Sequence, residues 1–159
     1  MPYASTDEVI ATLASIPDRA EAAVREAGAA ASAPRPAGDE GWTAAQVLGH
    51  LGDAARYWGA RFFRVAREEE PRLAPFDENG LVALAAYQYR PVAELAGVFR
   101  LISAGNVALL RSLPAAAWER AGIHEERGHM TLREMAEVEA DHELVHVRQF
   151  REALGLAGE

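Results

Sequence analysis

Two histidines four residues apart, His142 and His146, constrain this chain more than any other feature of its sequence. On an α-helix, residues i and i+4 lie about 40° apart around the axis, with one turn of rise between them. Both imidazoles could therefore bind one metal ion. A third histidine, His50, lies on the inward stripe of another predicted helix. The spacing favours a helical bundle whose core carries a three-histidine metal site with open coordination positions.

The stripe that carries His142 and His146 is more polar than a core stripe should be, because it also includes Glu139 and Gln149. Several buried polar groups on adjacent turns cost a few kcal/mol unless each finds a partner. A divalent cation would satisfy several imidazoles at once, and Glu139 could be a fourth ligand or could orient a ring. The alternative is a set of core histidines bonded to backbone carbonyls. Spacing alone leaves both interpretations open.

Residues 142–146 also match H-E-x-x-H, the zinc-protease pattern in which the glutamate, here Glu143, is the general base. The extended protease pattern fails, because Gln149 and Glu152 occupy the positions of its glycine and third histidine. Glu143 also lies about 80° from the midline of the two histidines, so it borders the site. A hydrolase of another fold, with Glu143 or Glu139 as the base for a metal-activated water, stays open.

Hydrophobic periodicity predicts one domain over residues 1–159, built from four long helices without clear strands. Two of these helices begin with a capping box, formed by Thr43 with Gln46 and by Thr131 with Glu134. They are the second and fourth helices, which carry the histidines. The capping residues therefore predict where both histidine-bearing helices begin.

The connections are predicted from breaks in this periodicity. Residues 29–41 form a connection after the first helix, and Pro17 is expected to kink or restart that helix. A short helix is predicted over residues 81–89. His124 and His129 lie in the loop before the fourth helix and could close over the metal site. A solvated polar loop is the alternative, and it is favoured for His129.

Composition and charge exclude several classes of protein. The net charge is −8 and all 16 basic residues are scattered arginines, which argues against a nucleic-acid partner. The absence of cysteine excludes disulfides, thiolate ligands and a cysteine nucleophile, so any thiol chemistry needs an external thiol. The N-terminus lacks the form of a signal peptide, and no apolar run approaches membrane-spanning length. A cytoplasmic protein without a membrane partner is therefore expected.

Three motifs, in their order and spacing, carry a resemblance to a known family. The first is Trp42 followed by residues 47–53, and the second is residues 121–124 followed by Gly128 and by Thr131 to Glu134. The third is His142 to His146 followed by Gln149. On these motifs the chain resembles the DinB-like family of four-helix metalloproteins, including its small-thiol S-transferase branch. The family often has Asp at the position of Glu143. The resemblance extends from the first helix to about Phe150.

The resemblance implies an all-α four-helix bundle of up-down-down-up topology, in which the connection after the second helix is the crossover. It implies that His50, His142 and His146 bind zinc or nickel, and that the protein is a homodimer. In the S-transferase branch, a thiol such as bacillithiol or mycothiol binds at the metal.

An arginine is the residue expected to hold a carboxylate of such a thiol. Arg148 is the first candidate, and Arg56 and Arg61 on the second helix are the others. The guanidinium group is suited to this contact because it can donate two parallel hydrogen bonds to one carboxylate.

Three functions are open at this point. The first is the metal-dependent transfer of a low-molecular-weight thiol to a small electrophile. The second is metal-dependent hydrolysis with Glu143 or Glu139 as the base. The third is a non-enzymatic, metal-binding stress protein in which the metal mainly stabilises the bundle.

The histidine assignment predicts the metal content of three variants. His50→Ala, His142→Ala and His146→Ala should each bind much less metal than the wild type while keeping their helicity, because each removes one ligand and little packing. Elemental analysis and circular dichroism of the purified variants measure both quantities. Undiminished metal in all three variants would refute the site.

Overall fold

Five α-helices and a small sheet make up the part of the chain that the computed structural model describes, residues 3–32 and 41–157. The helices are α1 (Thr6–Ala27), α2 (Ala44–Arg67), α3 (Glu78–Ala85), α4 (Val92–Ser112) and α5 (Leu132–Ala153). The strands are β1 (Arg72–Leu73), β2 (Ala121–His124) and β3 (Gly128–Thr131). Short 3-10 turns cover Gly28–Ser32, Tyr87–Tyr89 and Ala115–Glu119.

The four long helices form the predicted bundle. Both α1 and α2 pack against α4 and α5. The pairs α1/α2 and α4/α5 therefore lie on the two diagonals of the bundle. Its centre is filled by three completely buried phenylalanines, Phe62 of α2, Phe99 of α4 and Phe150 of α5. Burying such a side chain stabilises the fold by about 1.5–3 kcal/mol.

Two features of the connections differ from the sequence predictions. Helix α1 continues through Pro17 instead of restarting there. The predicted helix over residues 81–89 begins earlier, at Glu78, because the side chain of Asp77 accepts a hydrogen bond of 2.9 Å from the backbone N–H of Gly80. Of the predicted connection over residues 29–41, residues 33–40 lie outside the described part of the chain.

A small sheet of short strands accompanies the predicted all-α bundle. Strand β2 pairs with β3 as an antiparallel hairpin and with β1 in parallel. The parallel pair joins Arg72 to Ile123 across about 50 residues of sequence, and neither strand is longer than four residues. Local periodicity cannot reveal strands of this length, because a long-range contact produces them.

Three arginines tie the connections to the C-terminal half of α2. Arg61 donates to the carbonyl of Ala74 at 2.7 Å, and Arg64 donates to that of Arg72 at 2.8 Å. Arg120, just before β2, donates through Nε to the carbonyl of Val65 at 2.9 Å. These bonds hold β1 and the start of β2 beside α2, which places residues 74–80 next to the bundle.

Helix α4 is long and apolar enough to cross a membrane by length and composition alone. The expectation that no run approaches this length therefore does not hold for α4, whose apolar sequence is interrupted by the charged Arg100. Here α4 packs on α1 and α2, and Arg100 pairs with Asp18 and Glu21 of α1. The core helices of bundles commonly have this length and apolar composition, so these two properties alone do not identify a membrane span.

The packing of α2 predicts opposite effects for two neighbouring glycines. A Cβ on Gly49 would lie 2.3 Å from ring carbons of Tyr87, whose hydroxyl donates to Asp53 at 2.6 Å. Gly49→Ala should therefore lower the free energy of unfolding by about 1–3 kcal/mol. A Cβ on Gly52 would contact only Val98, at 4.0 Å. Gly52→Ala should therefore raise the free energy of unfolding by about 0.5–1 kcal/mol. Urea denaturation measures both changes, and a stabilising Gly49→Ala would contradict the close packing of Tyr87.

Candidate metal centre

The three histidines named from the sequence meet inside the bundle. Nε2 of His50 lies 3.1 Å from Nε2 of His142. The ring of His146 lies with its centroid 4.5 Å from each of the other two. One nitrogen of each ring can be chosen so that all three lie within 4.8 Å of one another. Residues 92 positions apart are thus brought within reach of one ion.

The two capping boxes fix where the histidine-bearing helices begin. In α2, the backbone N–H of Gln46 donates to Thr43 at 3.2 Å and that of Thr43 donates to Gln46 at 2.9 Å. In α5, the backbone N–H of Thr131 donates to Glu134 at 2.7 Å, and the reverse bond is 3.1 Å. Because helical rotation is constant from such a start, the caps determine which face each histidine occupies.

Neighbouring side chains orient two of the rings. The Nδ1–H of His146 donates to Oε1 of Gln149 at 2.7 Å, which leaves its Nε2 as the free nitrogen. Nδ1 of His142 lies 3.5 Å from Oε2 of Glu139. The Nδ1 atoms of His50 and His142 are buried and lack a hydrogen-bond partner among the described residues. A metal on Nε2 would place the ring proton on Nδ1. The Nδ1–H of His142 could then donate a hydrogen bond to Glu139.

Burial keeps the three imidazoles neutral. Desolvation, followed by the proximity of His146 and His142, lowers the pKa of His50 from 6.5 to about 3. Desolvation is also the main cause that lowers the pKa values of His142 and His146. Neutral imidazole is the form of histidine that binds metal. At neutral pH the cluster therefore presents uncharged donor nitrogens.

The donor set fits a divalent metal ion. Zinc binds histidine nitrogen at 2.0–2.1 Å in tetrahedral geometry, which separates two bound nitrogens by about 3.3 Å. The separation of 3.1 Å between His50 and His142 is close to this value. The unpartnered Nδ1 atoms are consistent with a metal site. A metal ion bound at Nε2 would fix the ring proton on Nδ1, on the opposite side of the imidazole. A three-histidine site also leaves a coordination position for an external ligand.

Aromatic rings cover the cluster on two sides. Trp42 lies with its ring centroid 4.8 Å from that of His50 and 6.1 Å from that of His146. Phe76 stacks parallel to His50 at 6.0 Å, and its ring also stacks on Tyr57 at 4.3 Å. These rings keep His50 completely buried. The side chain of His142 keeps 25% exposure, so the cluster opens to solvent on that side.

A cavity of about 680 Å³ lies against His142. It is lined by residues of α2, α5, the β2–β3 hairpin and the segment that leads into α3. Its charged lining residues are Arg61, Asp77, Glu78, Glu126, Arg127 and Asp141, and its other lining residues are Trp58, Phe76, Asn79, His124, Val138, His142 and Val145.

Glu139 and Glu143 lie behind the cluster, with exposures of 1% and 2%, and neither lines this cavity. Burial raises the pKa of Glu139 to about 8. Burial and the neighbouring carboxyl of Glu139 raise the pKa of Glu143 well above its ordinary value. Three of their four carboxyl oxygens have no hydrogen-bond partner among the described residues. At least one of these carboxyls is therefore protonated at neutral pH.

The two loop histidines have different positions. His124 is 4% exposed and lines the cavity with His142. Its Nδ1 accepts a hydrogen bond of 3.3 Å from the backbone N–H of Glu126, which places the ring proton on Nε2. The side chain of His129 is 59% exposed and lies 3.8 Å from Glu70. The hairpin thus brings one of the two histidines to the cavity and leaves the other at the surface.

The candidate arginines also separate. Arg148 is exposed on α5 and does not line the described cavity. Arg56 pairs with Asp53 at 2.9 Å. Arg61 lines the cavity, with its guanidinium 4.7 Å from the ring centroid of Trp58. Arg127, which sequence reasoning did not single out, lines the cavity as well.

Sequence reasoning also missed the contribution of residues 74–80. Phe76 and Glu78 both reach His50, and Oε2 of Glu78 lies 3.8 Å from its Nε2. The local signal that was available is Asp77 as an N-cap, which would have placed Glu78 at the start of a helix. No local signal predicts that this helix start faces the histidines, because tertiary contacts place it there.

The fold and the histidine cluster together define a four-helix bundle with a candidate metal centre. The sequence profile of the DinB superfamily matches residues 12–150, and the chain belongs to that superfamily. Among curated proteins, none matches the chain.

One solved structure supports the same assignment. YfiT from Bacillus subtilis is described as a probable metal-dependent hydrolase with an unusual four-helix bundle topology. It is 25% identical to this chain, with a TM-score of 0.86 over 99% of this chain and 94% of YfiT. The predicted DinB-like fold, an up-down-down-up four-helix bundle, is thereby confirmed.

The buried carboxyl of Glu139 predicts a pH dependence of stability in the metal-free protein. The unfolded carboxyl ionises above pH 4.5, whereas the folded one keeps its proton up to about pH 8. Folding in this range takes up a proton, so the free energy of unfolding falls as pH rises. Relative to Glu139→Gln, the wild type should lose up to about 1.4 kcal/mol per pH unit.

Urea denaturation of chelator-treated protein between pH 4.5 and 8 measures this difference. Glu152→Gln removes an exposed carboxyl from the same helix and is the matched control. A difference between wild type and Glu139→Gln that stays constant over this range would contradict a protonated carboxyl behind His142.

Proposed function

We propose that this protein is a metal-dependent hydrolase whose small substrate binds in the cavity beside His142. The observation that carries the proposal is the convergence of three neutral imidazoles, one of which, His142, lines a cavity of about 680 Å³. The similarity to YfiT, which is described as a probable metal-dependent hydrolase, supports the same chemistry.

The chain's own residues would hold and orient the reacting groups. When bound, a divalent ion at such a site lowers the pKa of a coordinated water and polarises a substrate carbonyl. His50, His142 and His146 would hold the ion. Gln149 fixes the ring of His146, and Glu139 lies where it can fix that of His142. This orientation makes the nitrogen lone pairs available without rearrangement.

His124 is the second polar group that faces the substrate volume in this proposal. The backbone N–H of Glu126 keeps its proton on Nε2, and burial lowers its pKa, so the ring is a neutral donor. A neutral N–H in a partly dry cavity can donate to an oxygen on which negative charge develops during hydrolysis. His124 would therefore help to position a carbonyl or its product.

The charges of the cavity favour hydrolysis of a neutral or cationic compound. Four carboxyl side chains and two arginines line it. This balance disfavours a dicarboxylate thiol such as bacillithiol, because like charges in a cavity raise the cost of binding. The roles of Glu139 and Glu143 as bases stay predictions. Because both are buried behind the cluster, the simpler role for them is to act indirectly, through His142.

Transfer of a low-molecular-weight thiol is the second candidate function. Arg61 and Arg127 both line the cavity and could hold one carboxylate of a thiol. A chain without cysteine would take that thiol from solution. The choice of zinc or nickel, the homodimer, the cytoplasmic location and the absence of nucleic-acid and membrane partners stay predictions.

The proposal predicts metal-dependent turnover of small esters or amides. The zinc- or nickel-loaded wild type should hydrolyse at least one member of a panel of such compounds, and a chelator should abolish the activity. His142→Ala should reduce kcat/KM by at least about 100-fold, because it removes a ligand beside the cavity. His129→Ala is the matched control, since its side chain is 59% exposed and lies outside the cavity lining, and it should keep wild-type activity.

Other outcomes identify the alternatives. Product formation from monochlorobimane with bacillithiol or mycothiol, in the absence of hydrolysis, would replace the hydrolase by the thiol transferase. A melting temperature that a chelator lowers strongly, with no turnover of either kind, would indicate that the metal only stabilises the bundle.

A further inference from the structure

We propose that Glu78 is a fourth protein ligand of the metal centre. The inference rests on the three-histidine site of the proposed function and adds a carboxylate from outside the bundle. Oε2 of Glu78 lies 3.8 Å from Nε2 of His50. This is the same nitrogen that lies 3.1 Å from Nε2 of His142. The carboxylate therefore lies beside the nitrogen of His50 that faces His142.

The backbone around Glu78 is anchored on both sides. Before it, the carbonyl of Ala74 accepts from Arg61, and the ring of Phe76 stacks between Tyr57 and His50. After it, the side chain of Asp77 caps the first turn of α3 through the N–H of Gly80. These contacts fix the position of the first residue of α3 relative to α2. The approach of Glu78 to the cluster is thus built into the packing of the crossover.

The negative charge of Glu78 could compensate the charge of a bound cation, which the buried Glu139 and Glu143 are less well placed to do. The three imidazoles are neutral, so a divalent cation among them brings uncompensated positive charge into a largely buried site. Glu139 lies on the Nδ1 side of His142, away from the converging nitrogens. Glu78 lies on the Nε2 side, and its negative charge acts on His142 and His146 as well.

The separation is within reach of coordination. Two atoms bound to one zinc ion lie about 3.3 Å apart, and 3.8 Å exceeds this by about half an ångström. The side chain of Glu78 is 47% exposed, so it has room to rotate and close the gap. A catalytic zinc site can expand to five ligands, which would leave a position for an external molecule beside four protein ligands.

The experiment measures metal binding, with Zn²⁺ and Co²⁺ as probes and no activity assay. Wild type, Glu78→Gln, Glu78→Asp and Glu126→Gln are compared by chelator competition for Zn²⁺ and by the visible spectrum of bound Co²⁺. Glu126 is the matched control because it lines the same cavity, carries the same charge and acts on Arg61 and His124.

Direct ligation predicts that Glu78→Gln binds Zn²⁺ at least about tenfold more weakly than the wild type and changes the Co²⁺ spectrum. Glu78→Asp should bind nearly as weakly, because its carboxylate is withdrawn by one methylene. Glu126→Gln should stay within about twofold of the wild type. The metal-free variants should melt with the wild type, since the half-exposed carboxylate of Glu78 makes no packing contact that folding requires.

Three results would overturn the inference. Equal weakening by Glu78→Gln and Glu126→Gln would show that only the charge of the cavity matters. Wild-type affinity in Glu78→Gln would show that the carboxylate is not bound. Failure of the wild type itself to bind Zn²⁺ or Co²⁺ would overturn the three-histidine site and the proposed function together, and this outcome is distinct from the other two.

Discussion

The candidate site depends on holding three neutral imidazoles close together in the interior of a helical bundle. Each ring loses its hydration on burial, and the converging nitrogens offer one another little in return, because a single proton bridges His50 and His142 at best. The arrangement persists because rigid packing of α2 against α5 enforces it. A cation among the nitrogens would turn this unfavourable cluster into a favourable one, which is why the geometry points to a metal.

The region behind the rings is also polar, which is unusual for a bundle core. Glu139 and Glu143 are buried there, and Arg61 is buried in the cavity lining. Desolvation shifts the pKa of each of these groups in the direction that favours its uncharged form. Such groups lower stability unless they protonate or find partners. The apolar centre of the bundle offsets this cost, through completely buried rings such as Phe62 and Phe150. The protein therefore maintains a polar layer at a site where a purely structural bundle would have leucine.

The bundle and its connections contribute different parts of the site. Helices α2 and α5 supply the imidazoles, whose positions follow from helical geometry. The crossover and the hairpin supply most of the cavity wall, including Glu78, His124 and Arg127. Membership of the DinB superfamily concerns the bundle as a whole. The chemistry available to a substrate depends more on the connections, because loops of a rigid scaffold carry most of the groups that contact a ligand.

The sequence by itself determined the four long helices, the starts of α2 and α5 at their capping boxes, and the three histidines that meet. These follow from interactions within three or four residues, such as the bond between Thr131 and Glu134 or the shared face of His142 and His146.

Only the tertiary structure decided the small sheet, the cavity, the approach of Glu78 to His50 and the separation of His124 from His129. The contact between Arg72 and Ile123 and the bond from Arg61 to Ala74 place these groups. Such contacts join segments that are far apart in the sequence. No periodicity or motif within either segment can therefore predict them.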